Sequence, residues 1–260
     1  MMPASIWLTN FGSIFTNLIG GLGRYTLLVG NIFYWMFRKP VRFRLIFRQL
    51  EFVGNKSLGI IFLSSLFTGA VLGLQIGKIF GIFKAEGLMG ATTGKALALE
   101  LGPVMCGFIV TGRAGAAMAA EIGTMRVNEQ LDAMEAMGVD PVSYLIVPRV
   151  IGSVIMMPVL ASIFLFLGVI GSYILGSALF HLDTKIFMEN VRWLVWTSDI
   201  RKGLFKAAVF GFILSSIACY KGYYARGGAK GVGEATTEAV VASLLAILII
   251  DFFITYVQML

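Results

Sequence analysis

The length of its apolar runs restricts this chain more than any other feature. The stretches from Leu58 to Phe83, from Pro103 to Gly123, from Tyr144 to Phe180, from Leu204 to Tyr220 and from Ala239 to Leu260 each approach or exceed the roughly 17–25 residues a helix needs to cross a bilayer core. Hydrocarbon offers no water to a free N–H or C=O, so only self-satisfied backbones survive there. Strand-length alternation is absent from these runs, and helices are what remain. A composition of 58% hydrophobic and 13% charged residues fits a polytopic membrane protein; soluble domains carry about 25% charged residues.

The segment up to Phe37 is apolar but broken by Asn10, Asn17, Arg24 and Asn31, and it carries Trp7, Tyr25, Tyr34 and Trp35. Such a segment suits the headgroup layer, so an interfacial helix is expected. Arg38, Lys39, Arg42, Arg44, Arg48 and Lys56 follow, which by the positive-inside rule places this region in the cytoplasm. That rule also accounts for the net charge of +7 better than nucleic-acid binding, because the cations gather at membrane edges. The expected organisation is an N-terminal region over 1–56 and a membrane-spanning region over 57–260. Five spans then leave the N-terminus cytoplasmic and the C-terminus outside. The long run from Tyr144 is expected to bend near Pro148 and Pro158.

Gly69, Gly73, Gly77 and Gly81 recur at four-residue steps on the first span. In lipid, apolar burial gives helices no net reason to associate, so a smooth glycine edge marks a tight backbone contact. The pattern leaves open whether the contact lies within one chain or between two. A second stripe, Gly107, Thr111, Gly115, Ala119 and Gly123, predicts another close contact. Four ionisable residues fall at membrane depth or its edge: Glu100, Arg113, Glu121 and Asp251. A charge there is costly enough to require a partner, and Arg113 with Asp251 is the expected pair.

Gly90 to Ala96 superficially resembles a phosphate-binding loop, but it has three residues between its glycines and Ala96 where Ser or Thr should reach Mg²⁺. The chain is therefore expected to carry no nucleotide site. Cys106 and Cys219 sit inside apolar runs and His181 ends one, so neither a metal site nor a nucleophile with its base is expected.

Glu121 to Pro141 is a polar, acid-rich island. Read as a helix, Val127, Leu131, Met134 and Gly138 form one face, and Glu129, Asp132 and Glu135 a neighbouring acidic one. Gly138 with Asp140 and Pro141 is a stop signal. Two readings remain: a solvated loop helix, or a docking helix that offers Met134 and Met137 to a groove in a partner.

At Glu100-Leu-Gly-Pro103, Gly112-Arg-Ala-Gly115, and the runs from Ala120 to Arg126 and Glu129 to Pro141, the chain resembles the MlaE/YrbE family of lipid-transporter permeases. Val71 to Gln75 and the closing Leu-Ile-Ile-Asp251-Phe extend the likeness over most of the chain from Val53 onward. The resemblance implies an all-α integral membrane protein with an N-terminal interfacial helix, five transmembrane helices and a cytoplasmic coupling helix at about 126–140, between the second and third spans. It implies the permease subunit of an ABC transporter that moves glycerophospholipids between the inner and outer membranes, with the C-terminus periplasmic. The implied partners are a second copy of the chain, cytoplasmic ATPase subunits that hold ATP and Mg, a periplasmic MCE-domain hexamer and a STAS-domain accessory subunit.

By position in the family's motifs, Leu72, Gln75, Ile76, Phe80, Phe83, Leu99 and Glu100 would line the lipid cavity. Leu99 departs from relatives that carry a basic residue there. Arg126, Glu129, Asp132, Met134, Glu135 and Met137 would couple to the ATPase, and Arg113, Glu121 and Asp251 would form a polar network. A proton-coupled carrier using Asp251, Glu100 and Arg113, or a membrane scaffold, are the alternatives.

Overall fold

The computed structural model describes residues 4–38 and 42–260, with side chains from residue 19 onward. Lys39 of the basic cluster and the side chains of Trp7, Asn10 and Asn17 lie outside the described residues. Eight helices are described: α1 (Ala4–Met36), α2 (Phe43–Gly81), α3 (Glu86–Val127), α4 (Gln130–Ala136), α5 (Val142–Phe180), α6 (Thr184–Leu194), α7 (Thr197–Tyr223) and α8 (Gly228–Met259). No strand occurs among the described residues. Helices α2, α3, α5, α7 and α8 are long and apolar enough to cross a bilayer. The chain is an all-α integral membrane protein.

The glycine edge of α2 packs inside the chain, against α5. A Cβ at Gly69 would fall on the Gly168 carbonyl, one at Gly73 would meet Ser172 Oγ at 2.5 Å, and one at Gly77 would meet Phe180 at 2.6 Å and Met89 at 2.7 Å. Gly171 of α5 returns the contact by lying on the Leu66 carbonyl, and Gly203 of α7 lies on that of Ala98. The spans are thus joined by backbones in direct contact, which recovers van der Waals energy that lipid-facing side chains cannot supply. The second stripe is looser: a Cβ at Gly107 would lie 3.3 Å from the Ile247 side chain, one at Gly123 would lie 3.4 Å from the side chains of Ala225 and Val232, and one at Gly115 would meet only Thr111 of the same helix.

One expectation about boundaries changes. Helix α2 begins at Phe43 instead of near Leu58, so the anticipated division at 56/57 falls inside a continuous helix. Its first turns carry Arg44, Arg48 and Lys56 and read as polar, yet Ile46, Val53, Gly54 and Ser57 are buried along one side and hold them helical. The spans also contain π-helical turns, at Leu97–Leu101 and Thr111–Gly115 of α3 and at Val142–Ile146 of α5, and Pro158 lies inside α5. Gly102 makes the first one possible, because its N–H donates to the Leu97 carbonyl at a separation that would bring a Cβ onto that oxygen. Such turns concentrate at functional positions, and the two in α3 hold Glu100 and Arg113.

The spans share an end with α4. There Leu131 of α4 is fully buried in a cluster with Leu28 and Ile32 of α1, Ile122 of α3, Ile146 and Val150 of α5 and Cys219 of α7. Helix α1 is bound to the same end: Tyr25 shares a hydrogen bond with Ser216 (2.8 Å), Tyr220 donates to the Gly21 carbonyl (3.0 Å) and Trp35 donates to Asp140 (3.1 Å). At the opposite end α6 lies against α3, with Phe187 buried and Asn190 donating to the Gly87 carbonyl at 2.9 Å.

Candidate functional site

Three groups of candidate residues lie at different levels of the bundle.

The first is a cluster of charges toward the end away from α4. Lys206 of α7 has a side chain with no solvent exposure, and its Nζ lies 2.6 Å from Glu100 Oε2, 2.7 Å from Thr255 Oγ1 and 3.1 Å from Asp251 Oδ1. Thr255 Oγ1 also donates to the Asp251 carbonyl at 2.8 Å. One ammonium therefore joins α3, α7 and α8. A buried ion of this kind is tolerable only because every direction it faces holds an acceptor. The cation for Glu100 and Asp251 is thus Lys206. Because α7 begins at Thr197, Lys206 lies more than two turns inside it. The signal available in the sequence was a lysine enclosed in the apolar run from Leu204 to Tyr220.

Arg113 does not pair with Asp251. Its Nε donates to Ser57 Oγ (2.8 Å), its Nη2 donates to the carbonyls of Phe52 (2.6 Å) and Val53 (3.3 Å), and its guanidinium stands 5.0 Å from the Phe52 ring. The physical reason is depth. Helix α8 runs to Met259, so Asp251 sits toward the far end, level with Glu100, while Arg113 lies about 20 Å further along α3 at ~1.5 Å per residue. Glu121, two turns beyond Arg113, pairs instead with Arg149 of α5 at 2.8 Å. The expected network of Arg113, Glu121 and Asp251 is three separate contacts.

The second group follows α2. Leu72, Ile76 and Phe80 are half-buried beside the glycine edge, Gln75 and Phe83 are exposed, and Leu99 and Glu100 are half-buried on α3. In a single chain this surface stands open.

The third group is the polar island. The expected helix from 126 to 140 is observed only over Gln130–Ala136. Arg126 still belongs to α3, Asn128 and Glu129 break the helix, and Glu129 takes a left-handed φ of 58°. Gly138, at φ 74°, turns the chain out of α4. Asp140 caps α5 by accepting from the N–H groups of Val142 (2.7 Å) and Ser143 (3.1 Å). Arg126 donates to Asp132 at 2.6 Å, and Tyr223 Oη donates to Glu135 at 3.1 Å. The Glu129 and Met137 side chains remain in the open, Met137 at 72% exposure, and Met134 is half-buried. The island is therefore a rigid knob, keyed into the bundle by Leu131 and presenting carboxylates and a methionine outward.

Cys106 and Cys219 are buried free thiols. Among the described residues no group of three or more His, Cys, Asp and Glu side chains could hold a metal ion.

Comparison with known proteins returns a consistent set of relatives. A profile of the family described as Permease MlaE matches residues 46–257. A probable ABC transporter permease protein of Rickettsia prowazekii is 45% identical over 218 residues, covering 84% of this chain and 84% of the relative. The intermembrane phospholipid transport system permease protein MlaE of Haemophilus influenzae is 39% identical over 217 residues, or 83% of each chain. The chloroplastic protein Trigalactosyldiacylglycerol 1 of Arabidopsis thaliana is 38% identical over 229 residues, covering 88% of this chain and 65% of the plant protein.

Proposed function

This chain belongs to the MlaE permease family, and from that premise we propose that it is the membrane subunit of an ABC transporter moving glycerophospholipids between the inner and outer membranes of a two-membrane envelope. In this reading the α4 end faces the cytoplasm, α1 lies in the inner-leaflet interface, and two copies work with two ATPase subunits that bind ATP and Mg. A periplasmic MCE-domain hexamer receives or delivers lipid at the other end, with a STAS-domain subunit as accessory. The observation that carries the reading is α4 itself. A helix of seven residues, fixed by a fully buried Leu131 and exposing Asp132 and Glu135, with Glu129 and Met137 exposed at its two ends, is built to transmit force from a bound partner. A solvated loop helix would not need that root.

Lipid would occupy the open surface of Leu72, Gln75, Ile76, Phe80 and Phe83, closed by a second copy, with Leu99 and Glu100 at its border. The apolar stripe suits acyl chains. Lys206 holds Glu100 on the α3 side of that surface, so the carboxylate belongs to the bundle's framework as much as to the cavity.

Reconstitution tests the proposal. With the ATPase, ATP should drive phospholipid transfer from proteoliposomes to an acceptor; Met137→Asp should abolish ATPase capture in a pull-down while leaving the melting temperature unchanged. Transfer driven by a pH gradient alone would favour instead a proton-coupled carrier working through Glu100, Lys206 and Asp251. Retained assembly without transfer would favour a scaffold.

A further inference from the structure

Leu131 roots α4 through one fully buried side chain, and a single root leaves a short helix free to rock about it. What stops the rocking lies to the sides. Arg126 of α3 donates to Asp132, Tyr223 at the foot of α7 donates to Glu135 at 3.1 Å, and Trp35 of α1 donates to Asp140, just past the helix, at 3.1 Å. Two of these three ties lead to α1. Trp35 belongs to it, and Tyr223 reaches it through a row of rings.

The row has four members. Tyr223 and Tyr224 stand edge to face with ring centroids 5.3 Å apart, Tyr224 and Tyr220 lie 5.1 Å apart, and Tyr220 meets Tyr25 of α1 edge to face at 5.5 Å. Ring quadrupoles favour particular angles, so such a row resists shear as well as separation. Its α1 end is pinned twice, by the Tyr25 bond to Ser216 and the Tyr220 bond to the Gly21 carbonyl. Guanidinium groups flank it, Arg24 of α1 at 5.8 Å from the Tyr224 ring and Arg126 at 5.9 Å from the Tyr223 ring.

A helix that only rested on lipid would need none of this. Leu22, Leu27 and Phe33 of α1 are exposed and suit a lipid surface, but its other side is committed to the bundle: Leu28 and Ile32 pack in the cluster around Leu131. We propose that α1 is a brace for α4, and that Tyr25, Tyr220, Tyr223 and Trp35 are positioning residues that fix the angle at which α4 presents Glu129 and Met137. The value of that angle to a partner rests on the reading of α4 as the ATPase contact; the brace itself does not.

Hydrogen exchange of the full chain in nanodiscs, with no ATPase present, tests the brace. Tyr→Phe changes keep the rings and remove only the hydroxyl bonds, so the variants retain the fold. Y25F/Y220F should speed exchange of the α4 amides at 133–139 by about two- to tenfold, the worth of one or two lost hydrogen bonds, and leave those at 116–123 of α3 unchanged. Y223F should do the same. E135Q keeps an acceptor for Tyr223 and should exchange like the parent, whereas E135A should match Y223F, and Y223F/E135A should add nothing further. Parent rates at 133–139 in Y25F/Y220F, an equal rise at 116–123, or E135Q behaving like E135A would each overturn the assignment. The Met137→Asp pull-down tests separately whether α4 meets the ATPase, so either reading can fail alone. Where that variant abolishes capture, Y25F/Y220F should weaken capture severalfold at an unchanged melting temperature, and undiminished capture there would overturn the positioning role.

Discussion

Replacing glycines along α2 by alanine turns the packing of α2 on α5 into a measurable series. At Gly69 the added methyl group lands on the backbone carbonyl of Gly168, which cannot swing aside, so the two helices must separate. Overpacking of this kind costs about 1–3 kcal/mol, and a backbone obstacle puts Gly69→Ala at the upper end. Gly73→Ala meets Ser172 Oγ at 2.5 Å and the Ser172 Cα at 3.0 Å, so it should cost nearly as much. Gly77→Ala meets the Phe180 ring and the Met89 sulfur, both able to rotate away, and should cost less than about 1 kcal/mol. Gly81→Ala finds nothing nearer than Glu86 at 3.6 Å, and Gly59→Ala finds nothing within 4 Å. These two should be neutral, or stabilised by up to about 1 kcal/mol through alanine's higher helix propensity. Converted at roughly 2–4 °C per kcal/mol, the series runs from a loss of about 5–10 °C at Gly69 to no loss at Gly59. Thermal unfolding of the purified protein in detergent, followed by circular dichroism, reads it directly. If Gly69→Ala melts with the parent, or Gly59→Ala falls as far as Gly69→Ala, α2 does not meet α5 along this edge.

Three further outcomes can be checked. Lys206→Met strands Glu100 and Asp251 without their cation and should cost about 3–5 kcal/mol, whereas the triple change with Glu100→Gln and Asp251→Asn should recover most of it in the same melting assay. Arg113→Lys keeps the charge but loses the planar fork that reaches Ser57 and the Phe52 carbonyl together; it should lower the melting temperature measurably, and full stability would show that charge alone suffices. Leu131→Ala removes the root of α4 and should cost about 2–5 kcal/mol if the cluster cannot collapse around it, with loss of ATP-driven transfer at lower temperatures than loss of the spans' helicity.

What the sequence makes legible here is whatever a single helix carries within itself. Run length identifies the five spans, and four-residue periodicity identifies the glycine edge of α2. Stop signals at Gly138 and Asp140 mark the exit from α4. Partner choice is a different matter, because it depends on the depth at which two helices meet. The depths are set by contacts such as Gly69 on Gly168 and Gly203 on Ala98, which leave no mark on either helix that names the other. For that reason Arg113 is assigned the wrong partner from sequence and Lys206 is overlooked. The early start of α2 is hidden for a related reason: its basic first turns read as a polar segment, and only the burial of Ile46 and Val53 against other helices shows why they are ordered.

Mechanical slack is the last property that follows from α4. Only Asn128 and Glu129 separate it from α3, and five residues with a tight turn and a capped start separate it from α5. Two residues reach at most about 7 Å even when fully extended, and these two are already folded into a hydrogen-bonded corner, with Glu129 N–H on the Arg126 carbonyl at 3.1 Å. A displacement of α4 by more than a few ångströms therefore has nowhere to be absorbed. It must appear as movement of α3 and α5 together, and α5 carries α2 with it through their shared glycine edge.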